Sequence, residues 1–229
     1  PKFSSLMGDL GKAGIYKFIV DPKYGGDLFS RASISQILSK MTSVNPGMGI
    51  VAMVPNSLGP AELLEKYGNE IQKKHYLPKL ANGELIPCFG LTGPNNGSDA
   101  TGKIDIGKVI KNKEGKLQIE VTIKKRDITL APVSNLIGLA FQVTDPDNLL
   151  EGQIGGVTVA LLEGGHEGLR QDYYHNPLDT GFPNGMLEGT IRVDLDQIIG
   201  GREKIGEGWK MLMECLAAGR GICLPATAN

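Results

Sequence analysis

The hydrophobic repeat of this 229-residue chain changes period twice, and that change constrains the fold more than any other feature. From about residue 28 to 80 apolar residues recur at helical spacing, most clearly in Ser57-Leu-Gly-Pro-Ala-Glu-Leu-Leu-Glu-Lys-Tyr-Gly68. Pro60 suits a first helical turn, and Leu63, Leu64 and Tyr67 share one face. Gly68 is expected to take the left-handed conformation that ends a helix. Asn69, with Gln72 three positions on, has the form of a capping box that restarts a short helix, which Pro78 and Asn82-Gly83 are expected to turn.

Beyond residue 84 the period becomes two. In Leu117-Gln-Ile-Glu-Val-Thr-Ile123 apolar and polar residues alternate, as in a half-buried strand. Further strands are expected over 85–92, 104–111, 136–144 and 156–162 and near 189–193, with a turn at Asn112-Lys-Glu-Gly115. Strands this close together, without intervening helices, suggest an antiparallel sandwich or barrel. Helical spacing returns over 207–224, where Trp209, Leu212, Met213 and Leu216 share a face. The fold class is therefore α+β, divided softly into residues 1–84, 85–203 and 204–229.

Composition excludes several functions. With 24 basic and 25 acidic residues and no long run of one sign, the chain carries no broad electrostatic footprint for nucleic acid. No apolar run approaches the roughly 18 residues of a membrane span, and the first residues do not resemble a signal peptide. The three cysteines, Cys88, Cys215 and Cys223, lack metal-ligand spacing, and their odd number argues against a closed disulfide framework, which fits reduced thiols in a cytoplasmic protein. His75, His166 and His175 show no mutual spacing for a metal. The 32 glycines are roughly twice the usual share of about 7% and imply many turns. The start at Pro1 and the stop just after a helical pattern suggest a piece of a longer chain.

One segment stands out chemically. Phe89-Gly-Leu-Thr-Gly-Pro-Asn-Asn-Gly-Ser-Asp-Ala100 reads as a strand running into a loop that can turn backbone N–H groups toward a ligand, with the hydroxyls of Thr92 and Ser98 beside them. On these grounds alone the better reading is a simple turn. The Met-rich stretch from Met41 to Met53 could line an adaptable acyl pocket, with core packing as the ordinary reading. Trp209 is expected to anchor its helix in the core.

The segment 89–100 resembles the acyl-CoA dehydrogenase signature, a Thr-x-Pro-x-x-Gly-Ser-Asp element at the start of that family's β domain. Other blocks resemble the family in the same order: Asn56-Ser-Leu-Gly59 and Gln72-Lys-Lys-His-Tyr-Leu77 before it, then Lys125-Arg-Asp-Ile-Thr129, Gly206-Glu-Gly-Trp209 and Gly219-Arg220 after it. The likeness is nearest to the large bacterial fatty-acid β-oxidation type, by Ile128-Thr-Leu-Ala-Pro132 and Cys215-Leu-Ala-Ala-Gly-Arg-Gly221.

The resemblance implies an N-terminal helical domain, a middle β domain and the first helix of a C-terminal helical bundle, with FAD between the last two in a homodimer or tetramer. It implies FAD contacts at Phe89, Leu91, Thr92, Gly97, Ser98, Asp127, Ile128 and Thr129, and fatty acyl-CoA contacts at Ser98 and Arg220. The bland alternatives are a turn cap at Ser98, a strand edge at Thr129 and an ion pair between Arg220 and Glu214. Two positions depart from the pattern: Gly93 replaces a common acidic residue, and Asp127 stands where an aromatic usually covers the flavin, so that it must point to solvent or the pocket must be remodelled.

The implied activity is dehydrogenation of fatty acyl-CoA to trans-2-enoyl-CoA in β-oxidation, with electrons passed to an electron-transfer flavoprotein. The glutamate base is expected beyond residue 229, because Gly219 occupies the alternative place for it, and the piece alone is expected to be inactive. An acyl-CoA oxidase and a non-catalytic acyl-CoA-binding module are the rival readings. The expected location is the cytoplasm, with membrane association through regions outside this sequence as the alternative.

Overall fold

Local signals punctuate the helical third of the molecule. The computed structural model describes residues 2–56, 59–100, 102–153 and 155–227, with only the backbone for 2–4, 173 and 222–227; Ser57, Leu58 and the Cys223 side chain lie outside this description. Five helices come first: α1 (Lys2–Lys12), α2 (Arg31–Val44), α3 (Pro46–Asn56), α4 (Pro60–Tyr67) and α5 (Glu70–Ala81). Ser30 caps α2 by accepting from the Ser33 N–H at 3.1 Å. Pro60 starts α4, and the capping box of α5 is present in full, with Gln72 N–H donating to Asn69 and Asn69 N–H donating to Gln72.

Two expectations about these helices are corrected. Gly68 is not left-handed but extended, at φ −61° and ψ 144°; a Cβ there would lie 2.7 Å from the Leu64 carbonyl oxygen, so close approach and not handedness requires glycine. Pro78 does not end α5, which runs on to Ala81 before Gly83 turns the chain at φ +77°. Helix α1 had no counterpart among the expected elements.

Seven strands follow: β1 (Pro87–Gly90), β2 (Ile106–Lys111), β3 (Leu117–Thr129), β4 (Leu136–Thr144), β5 (Val157–Glu163), β6 (Leu169–His175) and β7 (Asn184–Asp194). They form one sheet in the order β1-β4-β2-β3-β7-β6, with β5 also on β4. The antiparallel expectation holds for β2–β3, β3–β7, β4–β5 and β6–β7, whereas β1 and β2 both run parallel to β4. Strand β1 pairs with residues 136–139 and β2 with residues 142–144, so the long excursion 91–105 leaves β4 and returns to it. The Asn112–Gly115 turn forms as expected, with Asn112 Oδ1 accepting from Glu114 N–H and Lys116 N–H.

Strand β4 is the spine, buried on both faces. Ile137, Leu139, Phe141 and Val143 point into a core shared with β2, β3 and β7, while Leu136 and Ala140 enter a second core with α4, α5 and the last helix, α6 (Gly208–Thr227). Alternation along one strand thus welds the sheet to the helices on both sides. A third cluster, Phe18, Ile34, Leu38 and Ala52, joins α2 to α3, and α2 also packs along α6.

Candidate functional site

A largely apolar concavity opens where the end of β1, the end of β3 and helix α6 approach one another. Its volume is about 530 Å³. Strand β1 delivers Phe89, Leu91 and Thr92 to one wall, and the following loop adds Gly97 and Ser98. That loop is internally closed: Gly93 N–H donates to the Asn96 carbonyl at 3.0 Å, and Asn96 Nδ2 donates to the Leu91 carbonyl at 3.0 Å.

The second wall is made by a bulge. Pairing of β3 with β7 is regular through Lys125–Leu187 and resumes at Ile128–Gly185, leaving Arg126 and Asp127 together opposite Met186. Two residues against one bend the strand and release backbone from the ladder. Arg126 N–H turns to the Thr92 carbonyl at 3.1 Å, stitching the bulge to the loop, while Asp127 takes φ +55°. Asp127, Ile128 and Thr129 then line the cavity. Of the two options left for Asp127, the structure favours exposure: its side chain is 57% exposed and lies 3.5 Å from Arg126 Nε, so a good part of its charge faces water.

The third wall is α6. Trp209, Leu212, Met213 and Leu216, expected on one face, all line the cavity, as do Cys215 and Arg220. Trp209 is half-buried and packs against the α4–α6 core, so it anchors the helix and borders the cavity at once. Arg220 is exposed and has no ion-pair partner among the described residues, because Glu214 instead accepts from the Tyr67 hydroxyl. Burial pushes the Cys215 thiol up to about 12, which makes it an apolar surface and not a nucleophile at neutral pH.

All nine residues expected at the site therefore border a single cavity: Phe89, Leu91, Thr92, Gly97, Ser98, Asp127, Ile128, Thr129 and Arg220. Sequence reasoning missed the wall opposite the sheet, where Val54, Gly59 and Leu63 approach from α3 and α4. Gly59 closes a block that resembles the family, but only helix packing brings Val54 and Leu63 in, and no motif marks those two. The Met-rich stretch takes its ordinary role, with Met41 and Met53 packed on the α2–α3 cluster. Among the described residues no group of three or more His, Cys, Asp or Glu could hold a metal, and no helix is long and apolar enough to cross a membrane.

Comparison with known proteins agrees with this architecture. Residues 2–84 match the family model described as acyl-CoA dehydrogenase, N-terminal domain. Over 222 residues, 96% of the chain, the sequence is 28% identical to the probable acyl-CoA dehydrogenase FadE10 of Mycobacterium bovis. The structure superposes on butyryl-CoA dehydrogenase from Megasphaera elsdenii with a TM-score of 0.81 and 26% identity, covering 96% of this chain. The chain is similar to acyl-CoA dehydrogenases in sequence and in fold. It spans 32% of the FadE10 length and 56% of the butyryl-CoA dehydrogenase chain. A 92-residue stretch, 39% of this chain, is also 42% identical to a protein named HemX from Proteus mirabilis, 54% of which it covers.

The cavity suits the flavin that the resemblance to acyl-CoA dehydrogenases implies. A flavin needs a flat apolar slot with hydrogen-bonding groups at one edge. Here Ile128, Leu91 and the apolar face of α6 supply the slot, and the hydroxyls of Thr92, Ser98 and Thr129, with backbone released at the bulge, supply the edge.

Proposed function

We propose that this chain forms the flavin-facing part of an FAD-dependent acyl-CoA dehydrogenase, which converts fatty acyl-CoA to trans-2-enoyl-CoA in β-oxidation. The observation that carries this reading is the convergence of residues 89–98, 127–129 and 220 on one cavity. When bound, FAD supplies the hydride acceptor and relays electrons to an electron-transfer flavoprotein. Thr92 and Thr129 hold the polar edge of the ring, and Phe89, Leu91 and Ile128 exclude water from its face. Ser98, on the loop, suits a contact to the substrate, and Arg220, exposed at the rim and without an ion-pair partner among the described residues, suits the anionic CoA end.

The α-proton needs a desolvated base. The two carboxylates on the cavity wall, Asp99 and Asp127, are both exposed, which favours a base brought by a further segment of a longer protein. On this reading residues 1–229 alone bind ligand without turnover, and residues 1–84, 85–203 and 204–229 correspond to a helical domain, a β domain and the start of a helical bundle. The active form is a homodimer or tetramer in the cytoplasm.

The test is anaerobic addition of a long-chain acyl-CoA to the complete protein, followed in the visible spectrum. Bleaching of bound flavin is the expected result, with slow reoxidation by oxygen. Rapid reoxidation would make the enzyme an oxidase. Bound flavin that stays oxidised with short, medium and long acyl chains would replace catalysis with acyl-CoA binding.

A further inference from the structure

Strand β3 alternates Ile119, Val121, Ile123 on its core side, and the next core position is a lysine. Lys125 is 0% exposed, together with its charge. A buried ammonium is costly unless it is paired and hydrogen-bonded, and methionine would fill the same space without that cost. Its partners explain its presence. Lys125 Nζ lies 2.9 Å from Asp105 Oδ2 and donates to the Leu91 carbonyl at 3.2 Å.

Each partner belongs to a different part of the cavity frame. Leu91 is the last residue before Thr92 and the signature loop, and its carbonyl also receives Asn96 Nδ2 from the far side of that loop. Asp105 lies just ahead of β2 and is itself fixed, since its carbonyl accepts from Gln142 N–H at 2.8 Å and its carboxylate from Lys124 N–H at 3.4 Å. Lys125 itself is the last regularly paired residue before the bulge that presents Asp127, Ile128 and Thr129.

We infer that Lys125 is a positioning residue for the cofactor site: its buried ammonium, held by Asp105, fixes the distance between the 91–98 loop and the 127–129 segment. The inference rests on the flavin reading of the cavity for its consequence, but the tether itself is independent of that reading. Lys125 does not line the cavity, so it acts through Leu91 and the bulge. Asp105 serves as the counter-charge, and among the described residues no other charged side chain is paired with Lys125.

The experiment compares the complete protein with its Lys125→Met and Lys125→Met/Asp105→Leu variants by FAD titration of the apoproteins, amide hydrogen exchange and thermal unfolding. Lys125→Met leaves Asp105 partly buried and unpaired and should lower the Tm. The double variant, with both charges gone, should recover most of that loss. Because neither variant can donate to the Leu91 carbonyl, both should bind FAD about tenfold or more weakly and exchange faster at residues 91–98 and 126–129. Wild-type FAD affinity in the double variant would overturn the inference, as would unchanged exchange at 91–98 in either variant. If Lys125→Met does not fold, the double variant carries the same test. Failure of the wild-type protein to bind FAD would overturn the flavin reading, and exchange alone would then decide the tether.

Discussion

Cys88 shows how position sets the chemistry of a single group. It sits on β1 with no exposure and receives a hydrogen bond from the Ser134 hydroxyl at 3.1 Å, yet burial dominates and pushes its thiol from 9.0 up to about 12. Below about pH 9 both folded and unfolded chains hold the proton, and the thiol adds no pH dependence. Above it the unfolded chain releases the proton while the folded one keeps it, so stability falls as pH rises, by up to about 1.4 kcal/mol per unit, until the folded thiol ionises near 12. Urea midpoints between pH 8.5 and 10.5 should therefore decline more steeply in the wild type than in Cys88→Ala. Equal slopes would mean that the thiol titrates normally in the fold. Lys125 was equally open to the eye, as a lysine at the next core position of an alternating strand, but alternation alone does not say that a charge is retained there. That takes the partners, which come from residues 91 and 105.

At the scale of elements, the clearest local punctuation produced the expected structure. Asn69 and Gln72 were legible as a capping box because both residues lie within one turn. The second role of Gln72 was not legible, since its amide donates to the carbonyls of Asp196 and Ile198 and accepts from Gly200 N–H, more than a hundred residues away. This separates two substitutions. Asn69→Ala removes only a cap and should cost about 1 kcal/mol, while Gln72→Ala also strands three backbone groups, one buried and two partly buried, and should cost about 2–3 kcal/mol. Denaturant unfolding of both variants distinguishes them, and equal losses would contradict the docking role.

Strand β3 was readable from its alternation, though only its first half, because a lysine takes the next core position and the bulge at Arg126 and Asp127 then breaks the period. Strand β6 went unseen. Its sequence, Leu-Arg-Gln-Asp-Tyr-Tyr-His, is that of a sheet edge, polar on both sides and paired on one only. The parallel pairings of β1 and β2 with β4 were hidden for another reason. Period two reports a strand, not its direction, and the 91–105 excursion that permits them contains no regular helix among its described residues.

For the whole molecule, the sheet and helices are joined through β4, whose two faces feed separate cores, and the cavity lies where the second core reaches α6. The site was legible from the sequence only in pieces. Residues 89–98, 127–129 and 220 lie far apart along the chain, and spacing alone gives no reason for them to meet; the family resemblance supplied the connection. Val54 and Leu63 on the helical wall carry no signature, because apolar residues on packed helices look alike wherever they point.

The most direct test is a crystal structure of the complete protein with FAD. The account predicts the flavin ring between the 89–98 loop and α6, with its polar edge at Thr92 and Thr129 and Asp127 turned toward solvent. A ring bound elsewhere, or a cavity filled by side chains with no flavin in it, would contradict the account.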